Sequence, residues 1–168
     1  NIKNVSITGG APIDPKNIKQ TLEIANRLKK SGYYVSLEAS GQKVDHEIFD
    51  IIDFISFDYK TPSTSKRHNE IPLVQLLSKY PAEKYQVKAV IENNEDYYKY
   101  LETFKKLKIK YSNISSQNWV VTPAVNFSEK YPHDRIKNII SLNQEKGGVF
   151  KVICQQHKVI FGSEARNV

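Results

Sequence analysis

Six short apolar stretches alternate along this chain with longer segments whose apolar residues recur at helical spacing. No other feature restricts the fold as strongly. Strands separated by helical segments build βαβ units, which lay their strands parallel in one sheet. The first stretch, residues 3–8, is a mostly apolar strand running into Thr8-Gly9-Gly10-Ala11-Pro12. Asp14 is placed to cap a helix starting at Pro15, with Ile18, Leu22, Ala25 and Leu28 on one face and Gly32 as its stop. Strands are predicted over Tyr33–Ala39 and Asp53–Tyr59, joined by a short helix over 44–51 that Asp45 caps. Residues 60–70 read as a polar loop, whose Thr61-Pro62-Ser63-Thr64-Ser65 stretch is mobile when no ligand is bound, and 72–79 as one or two helical turns. Tyr85–Glu92 is the fourth strand, and residues 94–109 form a helix turning Tyr97, Leu101, Phe104 and Leu107 inward. Trp119–Thr122 is the fifth strand. A helix over 133–145, with Ile136, Ile139 and Ile140 on one face, stops at Gly147-Gly148, and Phe150–Cys154 is the sixth strand.

Right-handed crossovers curl such units toward a half or full barrel. Six strands fall short of the eight that close one. The expected fold is therefore α/β: a partial (βα) barrel of about six parallel strands with outer helices. A length of 168 residues suits a single domain covering the whole chain. No apolar run approaches about 18 residues, so no membrane partner is expected. The net charge of +7 comes with lysines spread along helices (Lys16, Lys19, Lys29, Lys30, Lys105, Lys106, Lys108). That dispersal reads as a solvated basic surface and not as a nucleic-acid site. Cys154 is the single cysteine, which excludes an internal disulfide and points to a reducing, cytoplasmic setting. Within an apolar strand its thiol reads as buried and inert.

Ligands of open parallel sheets bind beyond the carboxyl ends of the strands. Those ends carry Thr8-Gly9-Gly10, Glu38-Ala39-Ser40-Gly41, Ser56-Phe57-Asp58-Tyr59-Lys60, Thr122-Pro123 and Gln155-Gln156-His157. Each alone is explained by loops being polar where strands end. Together they point to one shared site at one rim. Gly9 and Gly10 permit close backbone approach to a ligand, or merely a tight turn. Thr8 faces a substrate or caps that turn. Glu38, ending an apolar strand, needs a partner: a ligand or a neighbouring lysine. Lys60 offers a compact charge to a carboxylate, or is solvated. Gln155 and His157 supply paired donors and acceptors, or the histidine is structural. His46, His68 and His133 read as surface residues, as do Lys66 and Arg67.

Four elements in order, Thr8-Gly9-Gly10-Ala11-Pro12, Leu37-Glu38-Ala39-Ser40-Gly41, Ser56-Phe57-Asp58-Tyr59-Lys60-Thr61-Pro62-Ser63 and Gln155-Gln156-His157-Lys158, carry a resemblance over essentially the whole chain. The chain resembles the radical S-adenosylmethionine enzymes. Within them it looks most like the 7-carboxy-7-deazaguanine synthases of deazapurine (queuosine and archaeosine) biosynthesis, whose patterns run TGGEP, ETNG, D-x-K-x-P-S and Q-x-H. The resemblance implies that Gly9, Gly10, Glu38, Ser56 and Lys60 bind S-adenosylmethionine, and that Thr8, Gln155 and His157 bind a pterin. It implies a ring-contracting lyase. A [4Fe–4S] cluster reduces S-adenosylmethionine to a 5′-deoxyadenosyl radical, which takes hydrogen from 6-carboxytetrahydropterin. Ammonia is lost as 7-carboxy-7-deazaguanine forms, with magnesium assisting. A homodimer is expected because the family often forms them.

Two departures qualify the resemblance. The family's three cluster cysteines precede the TGGEP strand, and here Cys154 stands alone; one thiolate cannot hold such a cluster. The expectation is therefore an N-terminally truncated, C-terminal portion of the enzyme, inactive by itself. Cluster and magnesium would belong to the full-length protein, and no catalytic or metal residue is assigned. Ala11 also replaces the family's glutamate, removing an acceptor for the cofactor's amino group worth about 1.5–3 kcal/mol. Two rival readings remain: a glycyl-radical activating enzyme, which shares the barrel and the Gly-Gly element, and a cluster-free ligand-binding relative. The carboxylate of Val168 reaches the site in this family, or Arg166-Asn167-Val168 fray.

Overall fold

Residues of the second, third and fourth strands alternate between burial and exposure, the period of two that a sheet with one covered face requires, whereas Trp119 to Pro123 of the fifth are buried throughout. Tyr85, Val87, Ala89 and Ile91 are buried while Gln86, Lys88 and Val90 between them are not. The computed structural model describes residues 2–64, 66, 70–111, 114–127 and 129–164. Arg67, His68, Arg166, Asn167 and Val168 lie outside that set. The strands are β1 (Asn4–Ile7), β2 (Tyr34–Ala39), β3 (Phe54–Tyr59), β4 (Tyr85–Ile91), β5 (Trp119–Pro123) and β6 (Lys151–Val152). They form one six-stranded sheet in the order β1-β2-β3-β4-β5-β6, each neighbouring pair parallel. The first and last strands do not pair, so the sheet is open, and the expected partial barrel is what the chain builds. Helices α1 (Ile18–Lys30), α2 (His46–Ile51), α3 (Glu70–Lys79), α4 (Asn94–Lys110) and α5 (His133–Glu145) occupy the crossovers, and α6 (Gln156–Phe161) follows β6.

The core joins one sheet face to the helices. Val35, Leu37, Ile55, Phe57 and Val87 meet Ala25 of α1, Leu73, Leu76 and Leu77 of α3, and Tyr97, Tyr100 and Phe104 of α4. Tyr100 anchors its aromatic centre, with ring centroids 5.0 Å from Trp119 and 4.8 Å from Phe150. Its buried hydroxyl donates to the Val87 carbonyl at 2.7 Å, which satisfies a group that would otherwise cost about 1–3 kcal/mol. Burial, chiefly, holds the Tyr100 phenol well above its ordinary pKa. Asn143 of α5 donates to the Phe150 carbonyl at 2.9 Å and accepts from the Phe150 N–H at 3.1 Å, tying that helix to the sheet edge.

Four local expectations are corrected. Helix α1 starts at Ile18 and not at Pro15, and Asp14 does not cap it. Asp14 instead heads a turn, its carbonyl accepting from Asn17 at 2.8 Å and Ile18 at 3.1 Å. The turns over 72–79 extend to a ten-residue helix. On α5 the inward face is Ile139, Leu142 and Asn143, leaving Ile140 exposed; the paired bonds of Asn143 to Phe150 set that rotation. The sixth strand has two residues where five were expected. After one further bond, from Ile153 N–H to the Val121 carbonyl at 3.0 Å, the chain leaves the sheet and coils into α6. Val159, Ile160 and Phe161 of α6 are exposed, so no amphipathic pattern announces this helix. Among the described residues no helix is long and apolar enough to cross a membrane.

Candidate functional site

The sheet face opposite the core is polar because its register collects the out-of-phase residues of every strand. Glu38 lies beside Ser56, Ser56 beside Gln86, Asp58 beside Lys88, and Val90 beside Thr122. Thr8, just past β1, donates its hydroxyl to Glu38 Oε2 at 2.9 Å. Glu38 thus has a partner, and it is a hydroxyl where a lysine was the alternative. The Ser56 hydroxyl accepts from Gln86 Nε2 at 3.0 Å. One carboxylate then serves two ammonium groups: Asp58 Oδ2 is 3.1 Å from Lys60 Nζ, and Asp58 Oδ1 is 3.4 Å from Lys88 Nζ. All three side chains are partly buried, and together they carry one excess positive charge.

Over the carboxyl halves of β2, β4 and β5 this face opens into a cleft of about 540 Å³. Glu38 forms one wall, Lys88, Val90 and Thr122 the floor, and Cys154 to His157 the far wall. Of the predicted residues, Glu38, Gln155 and His157 line the cleft directly. Thr8 joins it through Glu38, and Lys60 through Asp58 and Lys88. Ser56 lies in the row of Glu38 but spends its hydroxyl on Gln86. Gly9 borders a second, shallower hollow of about 290 Å³ against α1. His157 begins the second position of α6 and not a strand exit, so helix geometry aims the far wall.

Gly9, Gly10 and Ala11 are consecutive left-handed residues, with φ of +80°, +54° and +52°. Nothing lies within 4 Å of where a Cβ would stand at Gly9 or Gly10, so backbone conformation and not crowding calls for glycine. Asn17 staples the turn, its side-chain amide donating to the Gly10 carbonyl at 2.7 Å and the Ala11 carbonyl at 3.1 Å. Ala11 carries a left-handed cost of about 1–2 kcal/mol. Ala11→Gly is therefore expected to stabilise the fold by about 0.5–1 kcal/mol, after the larger unfolded-state entropy of glycine is offset. A urea midpoint that falls in this variant would refute the strain.

One further expectation is corrected here, for Cys154, and Ser65 lies outside the described residues. Residues 61–64 carry hydrogen bonds to β4 and α4. Asp96, fully buried in the first turn of α4, accepts from Ser63 N–H at 2.9 Å, from the Ser63 hydroxyl at 2.6 Å and from Glu92 N–H at 2.9 Å. Thr61 adds a bond from its hydroxyl to the Val90 carbonyl at 3.1 Å. Cys154 is not a buried strand thiol: it is half-buried, outside β6, and forms part of the cleft wall. Burial first, and the Cys154 thiol next to it, push the Tyr131 phenol up.

The residues that the sequence reading missed are Lys88, Val90 and Ile153, together with the linking role of Asp58. A signal existed for two of them. Asp58 and Lys88 are charged residues inside otherwise apolar strands, at neighbouring positions that only register reveals. Among the described residues no cluster of three His, Cys, Asp or Glu side chains is placed to hold a metal ion. The donor set, with one cysteine in the chain, does not fit an iron–sulfur cluster.

No family model matches the chain, and no curated protein matches it. Among solved structures it is similar to SuiB of Streptococcus suis, both in its own crystal structure and in one bound to S-adenosylmethionine. In each case identity is 12% and the TM-score 0.54, over 90% of this chain. The chain spans 39% of the length of those neighbours. That likeness establishes a shared fold.

Proposed function

We propose that this chain is the cofactor- and substrate-binding portion of a radical S-adenosylmethionine enzyme of the 7-carboxy-7-deazaguanine synthase kind. The observation that carries this reading is convergence. Glu38 with Thr8, Lys60 and Lys88 with Asp58, and Gln155 with His157 all bear on one cleft at the carboxyl edge of a parallel sheet. A structural neighbour that binds S-adenosylmethionine supports the choice of cofactor. S-adenosylmethionine supplies, when bound, the source of a 5′-deoxyadenosyl group. Its ligands here are read as Gly9 and Gly10 for close backbone approach, Glu38 and Ser56 for hydroxyl and amino groups, and Lys60 for its carboxylate. Thr8, Gln155 and His157 are read as the contacts of a 6-carboxytetrahydropterin.

Calorimetric titration of S-adenosylmethionine into the protein tests the cofactor. Binding is expected, and Lys60→Ala is expected to weaken it about tenfold, the loss of one charge-assisted hydrogen bond. Absence of binding to the unaltered chain would reject the cofactor reading. Equal affinity in the variant would remove Lys60 from the site. The lone Cys154 and Ala11 favour a second reading, a relative that keeps the pocket without a cluster. Anaerobic reconstitution with iron and sulfide is expected to leave the chain colourless under either reading. About four tightly held irons per chain would contradict both.

A further inference from the structure

We propose that Lys84 is a site of covalent acylation by acyl phosphates, the nucleophile of a lysine–aspartate cluster at the amino edge of the sheet. The cluster lies at the opposite end of the strands from the cleft, so this inference is independent of the cofactor and substrate readings.

Helices α1, α2 and α3 all end at this edge, where each gives way to the next strand. Lys29 of α1 pairs with Asp53 at 2.6 Å, and Lys79 of α3 pairs with Asp50 of α2 at 2.9 Å. Lys84 closes the single 3₁₀ turn before β4 and reaches the same place. Its Nζ donates to the Asp50 carbonyl at 3.2 Å, one of the last-turn carbonyls that a helix leaves for outside donors. Three ammonium groups therefore meet two carboxylates. Lys29 and Lys79 take both, and among the described residues Lys84 forms no ion pair. Lys84 Nζ also stands 5.4 Å from the centre of the Tyr80 ring, with Lys79 Nζ 5.3 Å from the same ring.

The charged groups facing Lys84 act in opposite directions: Lys29 of α1 and Lys79 of α3 against Asp50 of α2 and Asp53 before β3. Burial first, helped by the two neighbouring ammonium groups, holds the Lys84 amine below the ordinary lysine pKa in spite of the two carboxylates. Desolvation beside other cations is the arrangement that makes a lysine nucleophilic, because more of it is present as the neutral amine. Lys84 is half-buried and not enclosed, which leaves its amine open to a small reagent.

The step is an acyl transfer. The neutral amine attacks the acyl carbon and a C–N bond forms. The C–O bond to phosphate breaks, and its electron pair and the amine proton leave with the phosphate. The product amide keeps one N–H, which still serves the Asp50 carbonyl. It also loses one positive charge, so that Lys29 and Lys79 then balance Asp53 and Asp50. Both features let the acylated chain keep its fold.

The test treats the folded chain with acetyl phosphate at mildly alkaline pH and follows each lysine by peptide mass spectrometry. Lys84 is expected to be acetylated at least about fivefold faster than Lys19 and Lys105, exposed lysines with no ion pair among the described residues. Its rate is expected to reach half-maximum at a lower pH than theirs, as the direction of its shift requires. Lys79→Gln releases the Asp50 carboxylate to Lys84 and is expected to slow Lys84 at least about threefold. In the urea-unfolded chain the three lysines are expected to react alike. The proposal is overturned by a Lys84 rate no greater than the reference rates, by a half-maximum at the same or a higher pH, by an unchanged rate in folded Lys79→Gln, or by a preference that survives unfolding. The pH profile uses the unaltered chain, so it decides the matter even if Lys79→Gln does not fold.

Discussion

Gly41→Ala is expected to destabilise the protein by about 2–5 kcal/mol, the joint effect of a left-handed alanine and an overpacked contact. Gly41 follows β2 with φ of +75°, and it is buried. A Cβ placed there would stand 1.7 Å from the Asp58 carbonyl oxygen and 2.9 Å from its carbon. Both atoms are backbone, so no side chain can swing aside. Either the β2–α2 connection or the end of β3 must move. The second course displaces Asp58, the carboxylate on which Lys60 and Lys88 depend. Total stabilities of domains this size run about 5–15 kcal/mol, so the variant is expected to lose a large share of its margin. Urea unfolding followed by the buried Trp119 measures the effect. A loss under about 1 kcal/mol would show that the close approach is absent in solution.

Asp96→Asn ranks second, with an expected loss of about 2–4 kcal/mol. The substitution keeps volume and shape, so packing is not its mechanism. Three donors, two of them on Ser63 and one on Glu92, converge on the two oxygens of a fully buried carboxylate. An amide offers one accepting oxygen and turns an NH₂ group toward an N–H donor. The change also removes a negative charge from the first turn of α4, where the helix dipole favours one. Asn93 still caps that helix, accepting from Asp96 N–H at 3.1 Å, so α4 itself should persist. The effect is expected to appear at residues 61–64. Hydrogen exchange at Ser63 and Glu92 amides should accelerate at least about tenfold while β4 amides keep their relative order. Unchanged exchange at Ser63 would mean that the carboxylate does not hold the loop.

Both variants act on contacts that no local pattern in the chain discloses. Gly41 reads as an ordinary loop glycine until Asp58 arrives from a strand seventeen positions away in sequence. Asp96 reads as a helix-start acid, as does Asp45, and Asp45 does cap α2, by accepting from Ile48 N–H at 3.1 Å. What separates them is the Ser63 segment packed over Asp96. The same distinction runs through the cleft. The polar strand ends were visible as Glu38, Lys60 and His157, whereas the pairing of Asp58 with Lys88 required knowledge of register.

The amino-acid order alone determined the alternation of strands and helices, and with it a parallel sheet whose polar ends lie at one rim. Those features follow from periods of 2 and 3.6, which any stretch of about six to seventeen residues displays by itself. Tertiary structure alone decided which charges meet on the open face, which loop Asp96 secures, and that the chain quits the sheet after Val152 to form α6. The physical reason is range. Periodicity is a property of neighbours along the chain, while an ion pair or a steric limit belongs to residues that only the fold makes neighbours.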